Sequence, residues 1–216
     1  MSTTPTSRSR RPAGTPTGGQ FAPEAHAEPE VALGATPSDQ SPGSRREVGA
    51  DGTVRWFDAD DQLHRDGGPA IEYPSGSKEW FQHGELHRDG GPAAEWADGY
   101  REWYQHGRLH RDDGPAMEFA DGAKVWYQHG KIHRDDGPAS EHAGGTEWLQ
   151  HGHYHRDDGP AVEYSDGRRE WWQHGQRHRD DGPAVEHSTG KVQFWVHGRR
   201  VSEDAFRRRC PEASTD

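Results

Sequence analysis

The chain has 216 residues, of which 28 are glycine and only 28% are hydrophobic, and its formal net charge is -11 at pH 7. So few apolar side chains argue against an ordinary globular core. The negative charge repels phosphate backbones and the basic residues form no stripe, so nucleic acid is not an expected partner.

Residues 1–47 predict a disordered leader, because Ser, Thr, Pro, Gly and Ala dominate and no apolar period is present. Its Gly-Gly-Gln-Phe-Ala segment at 18–22 resembles short segments in the tails of phage and mobile-element proteins. This resemblance implies a docking or processing peptide in such a setting. The alternative is that Phe21 is a lone aromatic residue in a flexible segment.

A seven-residue motif recurs six times after the leader. The copy at 110–116 reads His-Arg-Asp-Asp-Gly-Pro-Ala, and the first two copies have Gly in place of the second Asp. Successive copies are 23, 23, 23, 22 and 23 residues apart. A fixed period of this size predicts a repeat array stabilised by stacked neighbours. The motif histidines are His64, His87, His110, His133, His155 and His178.

Each repeat contains two turn dipeptides, His-Gly and Asp-Gly, at which we expect two-residue hairpin loops in a meander of short antiparallel strands. His106-Gly107 then places Tyr104 opposite Leu109, and Asp121-Gly122 places Glu118 opposite Val125. The same register predicts two repulsive pairs, Glu95 with Glu102 and Glu163 with Glu170, which the motif arginines on that face would offset.

One tryptophan per repeat lies opposite a motif histidine in this register. Burial of one indole is worth about 4 to 6 kcal/mol as an upper limit. We expect these rings to form the structural ladder that joins the repeats: Trp56, Trp80, Trp103, Trp126, Trp148 and Trp171.

A second aromatic row follows the ladder by one position. Its rings either brace the residues opposite them, such as Leu86 and Ile132, or present a row of rings to a partner. The sequence leaves both open, and the candidate partner-binding residues are Phe81, Tyr104, Tyr127, Trp172 and Trp195.

The motif also invites comparison with catalytic and metal sites. His-Arg-Asp occurs in protein-kinase catalytic loops, but the other kinase motifs are missing and six copies favour a structural role. We expect Asp112 and Asp113 to accept hydrogen bonds from turn N–H groups, and Gly114 to supply an unusual backbone angle.

The histidines also raise the question of metal binding. His151, His153 and His155 alternate along the chain, yet a turn separates them, so neither metal nor cofactor is predicted. No unique acid, base or nucleophile interrupts the repeats, which predicts a protein that is not an enzyme.

Two repeats of the array are irregular, the first one and an internal one, and the chain changes character after the last repeat. The first repeat is one residue longer between Trp and His, and the 22-residue repeat is predicted to have a three-residue loop within His142 to Thr146. Ser202 is an N-cap residue followed by acids, which predicts a short helical turn within a C-terminal cap and tail at 202–216.

The array resembles MORN-type repeats, in particular the bacterial variant class. Tyr104-Gln-His-Gly107 is similar to that family's Trp-x-x-Gly, and Asp121-Gly122 to its second turn, over Val54 to Val201. The family's Tyr-x-Gly is absent, so the lipid binding of some members is not carried over. The resemblance implies an elongated twisted sheet that acts as a scaffold, and for some variant members an immunity protein that neutralises a toxin.

The predicted fold is all-β: an elongated single-sheet solenoid of antiparallel β-hairpins with a period of about 23 over residues 48–201. The predicted function is non-enzymatic binding of a protein partner through the open face of the sheet. The alternatives are an immunity protein and a metal-binding or membrane-surface structural protein, the membrane being disfavoured by the lack of a basic amphipathic segment. The single cysteine and the lack of a long apolar run predict a cytoplasmic location, and the oligomeric state is left open.

Overall fold

The computed structural model describes residues 43–209, which form an all-β repeat array followed by one helix, α1 (Glu203–Arg209). The Gly-Gly-Gln-Phe-Ala segment, Cys210 and the predicted leader up to residue 42 lie outside the described residues. The first strand already begins at Arg45, so the predicted leader boundary at residue 47 is too late. No helix within 43–209 has the length and apolar character needed to cross a membrane.

The strands are short, and most contain two residues. In chain order they are β1 (Arg45–Val48), β2 (Val54–Phe57), β3 (Ile71–Glu72), β4 (Lys78–Glu79), β5 (Phe81–Gln82), β6 (Glu85–Leu86), β7 (Ala94–Glu95), β8 (Arg101–Glu102), β9 (Tyr104–Gln105), β10 (Arg108–Leu109), β11 (Met117–Glu118), β12 (Lys124–Val125), β13 (Tyr127–Gln128), β14 (Lys131–Ile132), β15 (Ser140–His142), β16 (Gly145–Glu147), β17 (Leu149–Gln150), β18 (His153–Tyr154), β19 (Val162–Tyr164), β20 (Arg169–Glu170), β21 (Trp172–Gln173), β22 (Gln176–Arg177), β23 (Val185–Glu186), β24 (Val192–Val196) and β25 (Arg199–Val201).

The hairpin meander predicted from the repeat period is confirmed. Fifteen strands form one antiparallel sheet in the order β1-β2-β3-β4-β7-β8-β11-β12-β15-β16-β19-β20-β23-β24-β25. The other ten form five separate hairpins, β5–β6, β9–β10, β13–β14, β17–β18 and β21–β22. The chain leaves the main sheet at the ladder tryptophan. Trp103, for example, donates its N–H to Ala116 and accepts the N–H of His110.

The His-Gly turn has the predicted two-residue geometry. His106 and Gly107 both have positive φ, 49° and 67°, and Tyr104 pairs with Leu109. Histidine at such an angle is strained. This turn nevertheless directs the His106 peptide N–H at the ring of His87 in the preceding repeat, to which it donates a hydrogen bond. The Gly107 N–H also reaches back, to the carbonyl of Leu86 at 3.0 Å.

The Asp-Gly turn is longer than predicted. Glu118 pairs with Lys124 rather than Val125, so the loop has three residues and only Gly122 has positive φ, at 90°. The Asp121 carboxylate accepts the N–H of Ala123 at 3.0 Å, which stabilises a tight turn followed by a left-handed glycine.

Because the loop is one residue longer than predicted, the side chains on either side of it share faces of the main sheet in a different combination from the predicted one. Glu95 lies opposite Arg101 and Lys78 instead of Glu102. Glu163 lies opposite Arg169 instead of Glu170. The predicted repulsive pairs are therefore wrong. Glu95 and Glu163 lie on one face of the main sheet, and Glu102 and Glu170 lie on the other face.

The predicted roles of the motif residues are also wrong. Asp112 and Asp113 contact the side chains of His110 and Arg111 rather than turn amides. Gly114 has an ordinary φ, but a Cβ there would lie 2.9 Å from Cζ of Arg111. A side chain at this motif position would have to displace the guanidinium that lies against it.

Of the predictions for the 22-residue repeat and the C-terminal end, one is wrong and one is confirmed. In the 22-residue repeat His142 pairs with Gly145, so its loop has two residues and not the predicted three. The predicted C-terminal helical turn is confirmed as α1, with Ser202 Oγ accepting the Ala205 N–H. Phe206, 1% exposed, packs its ring 4.9 Å from that of Phe194.

Candidate functional site

Neighbouring repeats are joined by pairs of histidines. The motif histidine accepts, on Nδ1, the peptide N–H of the turn histidine from the next repeat, at 3.1 to 3.3 Å. The two rings lie 4.2 to 4.7 Å apart. Because Nε2 faces the motif aspartate, the motif ring donates from Nε2 and accepts at Nδ1. The pairs are His64–His83, His87–His106, His110–His129, His133–His151, His155–His174 and His178–His197.

Each ladder tryptophan is covered by a motif arginine. The guanidinium carbon lies 3.8 to 4.2 Å from the indole centroid in all six repeats. All six indoles are half-buried, and no pair of them is in ring contact within residues 43–209. The contacts found for these rings are therefore with the arginine of the same repeat, and a ladder that joins the repeats stays a prediction for Trp56, Trp80, Trp103, Trp126, Trp148 and Trp171.

The motif side of the array has five open polar grooves of roughly 280 to 560 Å³, one at each of five repeat junctions. One of them is lined by Arg88, Trp103, Arg111 and Asp112. Its arginines already bind carboxylates of their own repeats, Glu95 among them at 2.8 Å from Arg88. The charges of this side are therefore largely compensated inside each repeat.

The second aromatic row is half-buried, and four of its five residues lie in the small hairpins. Three of its rings pair as the bracing alternative predicts, Phe81 with Leu86, Tyr104 with Leu109 and Tyr127 with Ile132. Trp172 pairs with Arg177, and Trp195 with Arg200 in β24–β25. Leu149 occupies the same position in the 22-residue repeat. Partner binding by these rings stays a prediction.

Several of these rings contact a column of glutamates that precedes the ladder tryptophans. Trp172 Nε1 donates to Glu170, which is 1% exposed and also binds Arg168 and Arg177. Burial and the neighbouring Glu102 carboxylate raise the pKa of Tyr104 to about 12. The aromatic row and the glutamates thus form one electrostatically linked surface.

The two glutamate columns differ in their partners. On the motif face, every glutamate of the column binds a motif arginine, as Glu118 binds Arg111 at 3.2 Å. On the opposite face, Glu79, Glu102 and Glu147 accept hydrogen bonds from tyrosine hydroxyls, and none of the three belongs to an ion pair found within residues 43–209. Burial raises the pKa of Glu79, and the charge of Glu102 adds to this.

Exposed rings stand beside these uncompensated carboxylates. Trp96 and Phe119 are each 38% exposed. Trp96 stacks near Tyr73, whose hydroxyl binds Glu79, and Phe119 stacks on Tyr100, whose hydroxyl binds Glu102. We call this surface the aromatic-carboxylate face: Tyr73, Glu79, Trp96, Tyr100, Glu102, Tyr104, Phe119, Glu147.

Sequence reasoning missed this face because it used the wrong register for the Asp-Gly turn. With two-residue loops, Glu102 falls on the same side as Glu95 and the motif arginines, which would neutralise it. A usable signal was present, since Glu79, Glu102 and Glu147 each directly precede a ladder tryptophan. A constant position in the repeat implies a constant face.

One group of potential metal ligands occurs within residues 43–209, formed by Asp58, His64 and His83. The alternating His151, His153 and His155 are not brought together as ligands. His151 and His155 instead belong to different histidine pairs, with His133 and His174.

A comparison of the sequence with protein-family models gave no match, and a comparison with curated proteins gave none either. The resemblance to MORN-type repeats therefore stays a prediction, and function has to be inferred from the geometry.

Proposed function

We propose that this chain is a non-enzymatic repeat scaffold that binds a basic, extended segment of a protein partner through its aromatic-carboxylate face. The observation that carries this proposal is the contrast between the two glutamate columns. One column is neutralised by arginine, whereas Glu79, Glu102 and Glu147 in the other accept hydrogen bonds from tyrosine hydroxyls and belong to no ion pair found within residues 43–209.

A half-buried carboxylate without a counter-charge loses hydration that a hydroxyl only partly replaces. A lysine or arginine from a partner would restore that interaction. The adjacent exposed rings of Trp96 and Phe119 would receive the aliphatic stem and the charge of the same residue. The net charge of -11 would favour the encounter with a basic partner.

The spacing of the carboxylates suits an extended ligand. Glu79 and Glu102 both pair with Ala94, so they lie two strands apart in the sheet. At the usual strand separation this is about 9.5 Å. A polyproline II segment advances about 9.3 Å in three residues, so a basic residue at every third position would match.

The test measures fluorescence anisotropy of a labelled (Lys-Pro-Pro)5 peptide, with (Glu-Pro-Pro)5 as the negative probe. Replacing Glu79 and Glu102 together by Gln should weaken lysine-peptide binding at least tenfold. The matched control replaces Glu95 and Glu118 by Gln, which removes the same net charge from the opposite face and should change binding less than threefold.

Equal losses in the two double variants would show nonspecific attraction and contradict the proposal, as would binding of the glutamate peptide. Clear co-sedimentation of the chain with liposomes at physiological salt would favour the membrane alternative instead. The immunity role implied by the resemblance stays a prediction, and it too requires that a partner be bound.

A further inference from the structure

Three ligand-type side chains meet at the first repeat junction. Asp58 Oδ2 lies 3.0 Å from Nδ1 of His83, and the donor atoms of Asp58, His64 and His83 all lie within 4.8 Å of one another. Asp58 and His64 belong to the first repeat and His83 to the second. The group therefore spans the junction at which the array begins.

The longer first hairpin explains why the carboxylate is held in this place. Asp58 Oδ1 accepts the N–H groups of Asp60 and Gln62, which leaves Oδ2 directed at His83. The carboxylate is thus held in place by two backbone N–H groups, with its second oxygen directed at the His83 ring.

The other junctions provide an internal comparison. All of them contain a histidine pair in ring contact, yet none forms a group of three potential ligands within residues 43–209. The position of Asp58, two residues after the ladder tryptophan, is occupied in the later repeats by an amide: Gln82, Gln105, Gln128, Gln150 and Gln173.

The surroundings of the histidines also fit a metal site. Nε2 of His64 faces Asp66 at 3.2 Å, and its Nδ1 accepts the His83 N–H at 3.2 Å, so an ion bound at Nδ1 has to replace that hydrogen bond. A carboxylate behind a ligand histidine is a common second partner. His83 has a 72% exposed side chain, whereas Asp58 is 12% exposed. An ion could therefore enter from solvent and reach a fixed carboxylate.

We propose that Asp58, His64 and His83 bind one divalent transition-metal ion of the zinc type and that this ion fastens the first repeat to the second. Two imidazoles and one carboxylate form a donor set that such ions prefer, with a further position open to water. Ligand bonds of about 2.0 to 2.2 Å place tetrahedral donors roughly 3.4 Å apart. The exposed His83 turn has to close by an ångström or so to reach that spacing.

The experiment is calorimetric titration of the untagged full chain with ZnCl2. The expected result is one ion per chain for the wild type. Asp58→Asn keeps the oxygen that accepts the loop amides but removes the charge, and His83→Asn keeps a residue suited to the left-handed turn. Each variant should lower zinc affinity at least tenfold. The matched control is His106→Asn, the same change at a junction that has Gln82, and its affinity should equal that of the wild type.

A melting-temperature readout separates ligand loss from misfolding. Zinc should raise the melting temperature of the wild type and of His106→Asn, but not that of Asp58→Asn, since only native-state binding stabilises. The proposal would be overturned if Asp58→Asn bound zinc like the wild type, if His106→Asn lost as much affinity, or if several equivalent ions bound per chain.

Discussion

At the scale of single residues, the motif arginine contacts several groups at once, although the sequence pattern predicts only a charged surface residue. Arg111 lies 4.1 Å from the Trp103 ring centroid and donates to Asp113, Glu118 and the carbonyl of Pro115. Only a planar group with several N–H donors can make these contacts together. In this repeat the aspartate, the glutamate and the proline carbonyl together hold the guanidinium against the indole ring.

Replacing Arg111 by Lys should lower the free energy of unfolding by about 1 to 2 kcal/mol, because the stacked guanidinium and part of its hydrogen bonds are lost. Urea unfolding measures this difference. Arg108→Lys is the control, since Arg108 is exposed and belongs to no ion pair found within residues 43–209. Similar midpoints for the two variants would show that the charge alone matters.

At the scale of elements, the short hairpin of the 22-residue repeat depends on one glycine. Gly145 has a φ of 143°, and a Cβ there would lie 2.1 Å from the backbone oxygen of Glu163 in the neighbouring strand. Gly122, in a normal repeat, also has positive φ but has nothing within 4 Å of the same position. Gly145 is therefore needed both for its backbone angle and for the lack of space, whereas Gly122 is needed for its backbone angle alone.

Gly145→Ala should therefore cost at least about 3 kcal/mol, because a strand of the main sheet has to move. Gly122→Ala should cost only about 1 to 2 kcal/mol, the penalty of a left-handed alanine. Thermal unfolding of the two variants beside the wild type provides the measurement. Equal melting temperatures would mean that β16 and β19 separate without loss of stability.

The same hairpins explain how much the sequence could predict. The period, the strand meander and the His-Gly loop follow from local rules, since both positions of that loop need positive φ. The Asp-Gly loop did not follow, because the Asp121 carboxylate stabilises a three-residue turn in which only Gly122 is left-handed. One residue of loop length then decides which face Glu102 occupies, so the predicted register gave the fold but placed the candidate surface on the wrong face.

At the scale of the whole array, the strands of the main sheet follow one another in chain order, so each repeat pairs with the repeats before and after it. The histidine pairs also join consecutive repeats. In such an array the free energy of unfolding is the sum of the stability of each repeat and of each contact between neighbouring repeats. The effect of a substitution therefore depends on which junction it weakens as well as on how much energy is lost. His110 and His178 make the same contacts, one at the middle of the array and one at its last motif.

Replacing either histidine by Phe keeps an aromatic ring against its partner but removes the acceptor for one part-buried peptide N–H, a local cost of about 1 kcal/mol. His178→Phe should reduce hydrogen-exchange protection only near the C-terminal strands, β20 to β25. His110→Phe should reduce protection on both sides of the middle junction and divide thermal unfolding into two steps, because each half retains its own stacked repeats. If both variants instead lost protection evenly along residues 43–209, the array would unfold as one cooperative unit, and the junctions would not be the points at which it divides.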